Sequence, residues 1–314
     1  MTALICGSMA YDTVMTFDGR FREHILADRI HMLNVAFLVP ALRRNFGGCA
    51  GNIAYNLKLL GGEGLILATV GSDFAPYRAW LKDCGIPDSH ITQIDAQYTA
   101  QAYITTDIDN NQITAFHPGA MAQAHQNTVP ANAGIRLGIV GPESRDGMLQ
   151  HAAQFKAAAI PFIFDPGQGL PMFDGAELNA FLAQANYVAV NDYEASLLCD
   201  RTERSLEDIA QQVQALIVTR GGEGSQIFSG GRRLDIPVAK PERLADPTGC
   251  GDAYRAGLLY GLQRGLDWEV TGRIASLAGA LKIAHHGTQN HRFSRGEFAA
   301  HYQSQFGSEL QGFA

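Results

Sequence analysis

Short apolar runs that alternate with amphipathic stretches of helical length constrain this chain more than any other feature. Ala3–Cys6, Leu65–Val70, Leu137–Val140, Phe162–Asp165, Tyr187–Val190 and Leu216–Thr219 read as strands buried on both faces. Between them, Asn52–Leu60, Gly147–Ala159, Asn191–Cys199 and Ser205–Gln214 carry helical spacing and plausible start signals. This βαβ rhythm predicts an α/β fold, a mostly parallel sheet flanked by helices on both faces. The 314 residues have even composition, with no repeat, low-complexity tract or long linker, so a single domain over 1–314 is expected.

Two stretches break the rhythm. Residues 14–45 and 98–117 read as insertions, and within the second Gln101–Thr106 and Gln112–His117 flank a turn at Asp107–Asn111. Together they are expected to form a small β lid over the carboxyl edge of the sheet. Gly224–Ile236 predicts a further hairpin turning at Ser229-Gly230-Gly231, and from Gly251 onward the chain reads as helical to its end.

The formal charge of −7 argues against a surface built for nucleic acid or anionic membrane, which would need a dominant basic face. The five cysteines, Cys6, Cys49, Cys84, Cys199 and Cys250, are scattered, odd in number and without a CxxC pair, which disfavours a disulfide framework or zinc site. With no basic leader and no apolar stretch of about 18 residues, the chain is expected to be cytoplasmic.

The most informative stretch is Asp246-Pro247-Thr248-Gly249-Cys250-Gly251-Asp252, followed by a helix rich in small residues. A Gly-x-Gly turn feeding a helix aims backbone N–H groups outward at the positive end of the helix dipole, which makes an anion cradle. Asp252 at that end is placed to accept a hydroxyl proton while the N–H groups of Gly249, Cys250 and Gly251 stabilise a transferring phosphoryl group. The dipole is expected to keep this carboxylate ionised at neutral pH. The plainer alternative is a first-turn acid favoured by the dipole alone.

A second stretch, Gly47-Gly48-Cys49-Ala50-Gly51-Asn52, is a glycine-rich loop opening a helix. Its backbone can approach a ligand closely, and Asn52 offers a donor and an acceptor to a polyol; the alternative is a tight loop with Asn52 as a cap. Asn191-Asp192-Tyr193-Glu194 and Thr219-Arg220-Gly221-Gly222-Glu223-Gly224 each follow an apolar strand, at the sheet edge where open α/β folds bind ligands. Asn191 and Glu194 are placed to organise Mg²⁺ and its waters, or else form an N-cap with a solvated glutamate. No Gly-Lys dipeptide, GxGxxG after the first strand or GxSxG occurs, which excludes a Walker A loop, a Rossmann fingerprint and a nucleophile elbow. His285, His286 and His291 lack metal-ligand spacing.

Taken together, these stretches resemble the ribokinase superfamily of carbohydrate and nucleoside kinases, with its early GGxxxN region and late D-T-x-G-A-G-D-like region. Gly7-Ser8-Met9-Ala10-Tyr11-Asp12, Phe37-Leu38-Val39 and the Pro247-Thr248 arrangement look most like the bacterial adenosine and nucleoside kinases. The resemblance implies a ribokinase-like fold, ATP and Mg²⁺ as cofactors, and transfer to a nucleoside 5′-hydroxyl. Asp12, Gly48 and Asn52 would hold the ribose, with Gln168 approaching the nucleoside. Asp252 would be the base and Gly249 to Gly251 the anion hole. Asn191, Thr219, Gly221 and Gly224 would line the ATP site, with Glu194 on the metal. Cys250 departs from the family's alanine.

Where some adenosine kinases place an aromatic against the base, Ala102 stands here between Gln101 and Tyr103, which implies a roomier pocket with Phe116 and Phe37 as stacking surface. Inosine, guanosine or cytidine would then be accepted besides adenosine. An exposed lid strand is a candidate for homodimer pairing. The rivals are a sugar kinase for a ribose- or fructose-like substrate and an inactive binding protein of the same fold, and the question of a monovalent cation near Ala284–Gln289 stays open.

Overall fold

The computed structural model describes residues 2–25, 34–109, 111–130, 134–310 and 312–313. Parts of two expected features, residues 26–33 of the first insertion and residue 110 of the hairpin turn, lie outside the described residues. The strands are β1 (Thr2–Cys6), β2 (Ala10–Thr16), β3 (Ala41–Gly47), β4 (Gly64–Gly71), β5 (Ile91–Ile94), β6 (Ala100–Thr106), β7 (Gln112–His117), β8 (Ile135–Val140), β9 (Phe162–Phe164), β10 (Tyr187–Asn191), β11 (Ala215–Thr219), β12 (Ser225–Ser229) and β13 (Arg232–Ile236). Among the described residues they form a nine-stranded sheet, ordered β13-β12-β11-β10-β9-β8-β1-β4-β5, and a four-stranded sheet, ordered β3-β2-β6-β7.

The large sheet is parallel from β11 to β5, and the hairpin β12–β13 adds an antiparallel edge. Its strands alternate between two apolar cores, as a pleated strand buried on both faces must. Ala3 and Ile5 enter one core while Leu4 and Cys6 enter the other; Ile163 opposes Phe162 and Phe164, and Ile217 opposes Leu216 and Val218. All six strands read from the apolar runs are present.

The first core is covered by the helices Cys49–Leu59, Cys250–Arg264 and Trp268–Ile283. The last two pack closely because Gly257 leaves room: a Cβ there would lie 2.4 Å from the Cα of Ala275. No helix among the described residues is long and apolar enough to cross a membrane.

Two expectations need correction. The small sheet starts at Ala10 and includes Gly47, so it reaches into the segments that flank the glycine-rich loop. The tail is not continuously helical. Gly265 caps the first helix in the left-handed conformation (φ 65°), and residues 284–294 form an irregular segment before the helix Arg295–Phe306. That segment folds back onto the carboxyl edge of the sheet, where it contributes to the site.

Candidate active site

A cavity of about 520 Å³ opens at the carboxyl edge of the large sheet, beneath the small sheet. It brings together Asp12, Gly48, Asn52, Phe116, Gln168, Gly249, Gly251 and Asp252 from widely separated parts of the chain. Asp12, Ala102 and Phe116 sit in one cross-strand row, since Asp12 pairs with Ala102 and Ala102 with Phe116. One row on one face of a pleated sheet points the same way, so all three line the cavity.

Asp252 stands in the first turn of the helix Cys250–Arg264, whose cap Gly249 has φ 79°. A side chain at Gly249 would be strained in this left-handed conformation, and its Cβ would come within 3.1 Å of Thr288 Cβ. The first-turn amides of Gly251 and Asp252 have no intrahelical acceptor by the geometry of any helix start, so they face the cavity end as donors.

Asn52 Nδ2 donates to Asp252 Oδ2 at 2.8 Å. Asn52 is itself held: Gln289 Nε2 donates to its Oδ1 (3.0 Å), and Trp80 Nε1 donates to Gln289 Oε1 (2.9 Å). This relay fixes the amide so that its NH₂ end faces the carboxylate. Asn52 therefore positions Asp252 in this conformation rather than presenting both a free donor and a free acceptor.

Beneath Asp252, Arg255 donates to Asp165 Oδ1 through Nε (3.1 Å) and Nη2 (2.9 Å), and Nη2 also reaches the carbonyl of Ala189 at 3.2 Å. Burial pushes the Asp252 carboxyl up to about 7; the Asn52 hydrogen bond opposes this, and the charges of Asp165 and Arg255 pull in opposite directions. The sequence expectation of an ionised carboxylate weighed only the helix terminus, whereas burial pushes this carboxyl up from its ordinary range. Asp12 is likewise pushed up to about 6, first by burial and then by the charge of Asp246.

Several expected residues lie elsewhere. Phe37 packs on Phe17 (4.8 Å between ring centroids) and Phe21 (5.1 Å) instead of lining the cavity. Gln101 occupies the opposite face of β6 from Ala102, with Nε2 donating to Asp73 Oδ2 at 3.0 Å, because adjacent strand residues alternate sides. Cys250 turns away: its N–H donates to the carbonyl of Pro247 (3.2 Å), and its thiol lies 3.9 Å from the carbonyl of Asp246.

Asn191, Glu194, Thr219, Gly221 and Gly224 line no part of the cavity and lie further along the same sheet edge. Asn191 pairs in register with Thr219, and Arg220 N–H donates to the carbonyl of Gly224 (2.8 Å). Asn191 and Glu194 form a reciprocal capping box, with Asn191 N donating to Glu194 Oε2 (2.9 Å) and Glu194 N to Asn191 Oδ1 (2.7 Å). Asn191 is therefore an N-cap, but Glu194 is a largely buried partner in the box and not the solvated glutamate of the plainer alternative. Burial raises the Glu194 carboxyl, and Arg255 lies 4.0 Å away.

Other cavity residues carry little local signal. Met121, Pro142 and Met172 add an apolar wall, and Glu143, also at the cavity, pairs with the buried His151. Asp165 had a signal in being charged directly after an apolar strand, and Arg255 in lying one helical turn beyond Asp252.

The chain is similar to known proteins over most of its length. The family described as pfkB family carbohydrate kinase matches residues 11–293. A nucleoside kinase of Methanocaldococcus jannaschii is 33% identical over 259 residues, covering 82% of this chain and 85% of that protein. A nucleoside kinase of Burkholderia thailandensis, solved in complex with inosine, has a TM-score of 0.90 at 52% identity and covers 99% of this chain and 100% of its own. The Burkholderia kinase solved with ADP-inosine gives a TM-score of 0.88 at 54% identity over 99% and 98%.

Proposed function

The chain belongs to the pfkB family of carbohydrate kinases, and from that premise and the chemistry of the cavity we propose that it transfers the ATP γ-phosphoryl group to the 5′-hydroxyl of nucleosides. It is a phosphotransferase with an alcohol acceptor and an ATP-dependent nucleoside kinase. The observation that carries the assignment of roles is the shared cavity of Asp12, Asn52 and Asp252, with Asp252 at a helix start. A base, a diol-binding carboxylate and an anion cradle there face one volume, which suits in-line transfer from phosphate to hydroxyl.

In this reading Asp12 accepts from the ribose hydroxyls, and Gly48, whose Cβ position is filled by the backbone of Ser8 to Ala10, holds the glycine-rich loop close against the start of β2 at the sugar side of the cavity. Asp252 takes the 5′-hydroxyl proton as the P–O bond forms. The amides of Gly249 and Gly251 stabilise charge on the transferring group, while the Cys250 amide is engaged by the Pro247 carbonyl and shapes the turn. Thr219, Gly221 and Gly224 would line the adenosine side of ATP beyond Asn191.

Glu194 suits a phosphate-borne Mg²⁺ ion. Its capping bonds use one acceptor position on each oxygen, leaving others for water on the ion. When bound, the ion supplies neutralisation of phosphate charge. The small side chain of Ala102 opposite Phe116 supports a pocket broad enough for inosine, guanosine and cytidine besides adenosine, with Phe116, Met121 and Met172 against the base. The exposed edge strand β7 supports a homodimer through the small sheet.

An ADP-release assay over a panel of nucleosides and free sugars tests this reading. Turnover with several nucleosides at comparable kcat/KM is expected. Turnover with ribose or fructose alone would return the chain to the sugar kinases, and an adenosine-only profile would refute the broad pocket.

A further inference from the structure

Lys282 belongs to the helix Trp268–Ile283, and its side chain is fully buried at 0% exposure. Its Nζ donates to the carbonyls of Asp246 (2.7 Å) and His285 (3.3 Å), and it lies 4.0 Å from Asp246 Oδ1. These oxygens come from two separate segments: the loop that leads into Gly249 and the turn that follows the helix.

The same two segments are joined around it. Asp246 accepts from Thr248 N (2.9 Å, Oδ1) and Gly287 N (2.9 Å, Oδ2). Ala245 N donates to the carbonyl of Ile283 at 2.9 Å, and Arg243 Nε to that of Ala284 at 2.7 Å. Thr288, which Gly249 packs against, donates through Oγ1 to the carbonyl of Phe46 at 2.7 Å. The shape of the anion cradle therefore depends on a carboxylate and two carbonyls converging on the buried Lys282 ammonium.

Converging oxygens repel unless a cation sits among them, and a buried ammonium is tolerated only where oxygens replace its water. Each condition meets the other here. The arrangement is the one a small monovalent cation requires, a single positive charge in a shell of carbonyl oxygens, except that the charge arrives on a side chain.

We propose that Lys282 is a tethered cation that holds the Asp246–Gly251 loop in its anion-binding shape, so that the enzyme needs no free monovalent ion there. Lys282 is a positioning residue: it touches neither cavity nor substrate and acts through Asp246 on the amides of the cradle. The inference rests on the kinase reading above. Its consequence is a rate independent of the salt cation, and a vacated lysine position that a free cation can refill.

The experiment measures ATP-to-nucleoside transfer by the full chain in potassium, sodium, ammonium and choline chloride at matched ionic strength. Lys282→Ala and Lys282→Met are measured alongside, with folding checked by circular dichroism. Wild-type turnover should be the same in every salt. Lys282→Ala should lose at least about tenfold in kcat in choline, with a much smaller change in nucleoside KM, and regain activity saturably with potassium or ammonium. Lys282→Met, which fills the space without the charge, should be as slow and gain nothing from added cation.

Wild-type activation by potassium over choline would overturn the inference, as would a folded Lys282→Ala that no cation restores or a Lys282→Met at wild-type rate. Absence of transfer in every salt would instead refute the kinase reading. If Lys282→Ala fails to fold, the wild-type salt comparison and Lys282→Met decide.

Discussion

Acid should inactivate this enzyme well above the ordinary carboxylate range, through two buried acids in sequence. As the proposed base Asp252 works only when ionised, and burial pushes its carboxyl up to about 7. Activity is therefore present above that value and lost as pH falls through it. The ionised fraction of Asp252 runs from ~0.1 at pH 6 through ~0.5 at pH 7 to ~0.9 at pH 8, a roughly tenfold rise that Asp12, only half ionised at pH 6, brings to roughly twentyfold in kcat/KM over that span. Asp12, at about 6, adds a second loss lower down. Below pH ~6 the logarithmic plot should steepen from a slope of one towards two. The two acids separate at saturating nucleoside, where kcat should keep the Asp252 limb and lose most of that due to Asp12, a binding group. Direct chromatographic measurement of nucleoside monophosphate from pH 5 to 9 at constant ionic strength avoids acid effects on coupling enzymes. A flat kcat/KM between pH 6 and 8, or a single limb in the ordinary aspartate range near ~4, would refute the reasoning.

Three substitutions test separate parts of the site. Asp12→Ala removes a charged acceptor from the ribose side and should raise nucleoside KM by about tenfold to a hundredfold, with kcat changed far less, in steady-state kinetics. Arg255→Ala strands the buried Asp165 carboxylate and should lower unfolding stability by about 3–5 kcal/mol in urea titrations. Gly249→Ala forces a side chain to φ 79° against Thr288, and should cost about 1–2 kcal/mol of stability by the same titration along with a larger loss of kcat than of nucleoside affinity.

What could be read in the sequence, and what could not, follows the range of the interactions. The large sheet was legible because its strands are short apolar runs, and a strand such as β1 carries its alternation between two cores within a few residues. Asp252, Gly249 and Gly48 were legible because a glycine turn opening a helix is a local pattern with local chemistry. Gln101 was misplaced because knowing which of two neighbours faces a cavity requires the register across β2, β6 and β7. Phe37 lies outside any regular element, so no periodicity could aim its ring. The bond from Gln289 to Asn52 spans 237 positions and that from Lys282 to Asp246 spans 36, and no window of sequence contains either pair. The upward push on the Asp252 carboxyl was not legible for the same reason. The helix dipole is local and visible, whereas the desolvation that raises the carboxyl is imposed by the whole fold.

The central claim is that Asp252 takes the proton from the hydroxyl that receives the phosphoryl group. Single-turnover transfer by Asp252→Asn, measured beside its nucleoside and ATP affinities by calorimetry, tests it most directly. The account predicts that transfer falls by at least about a hundredfold, the ordinary contribution of a positioned general base, while both ligands still bind. Transfer near the wild-type rate with binding intact would contradict it.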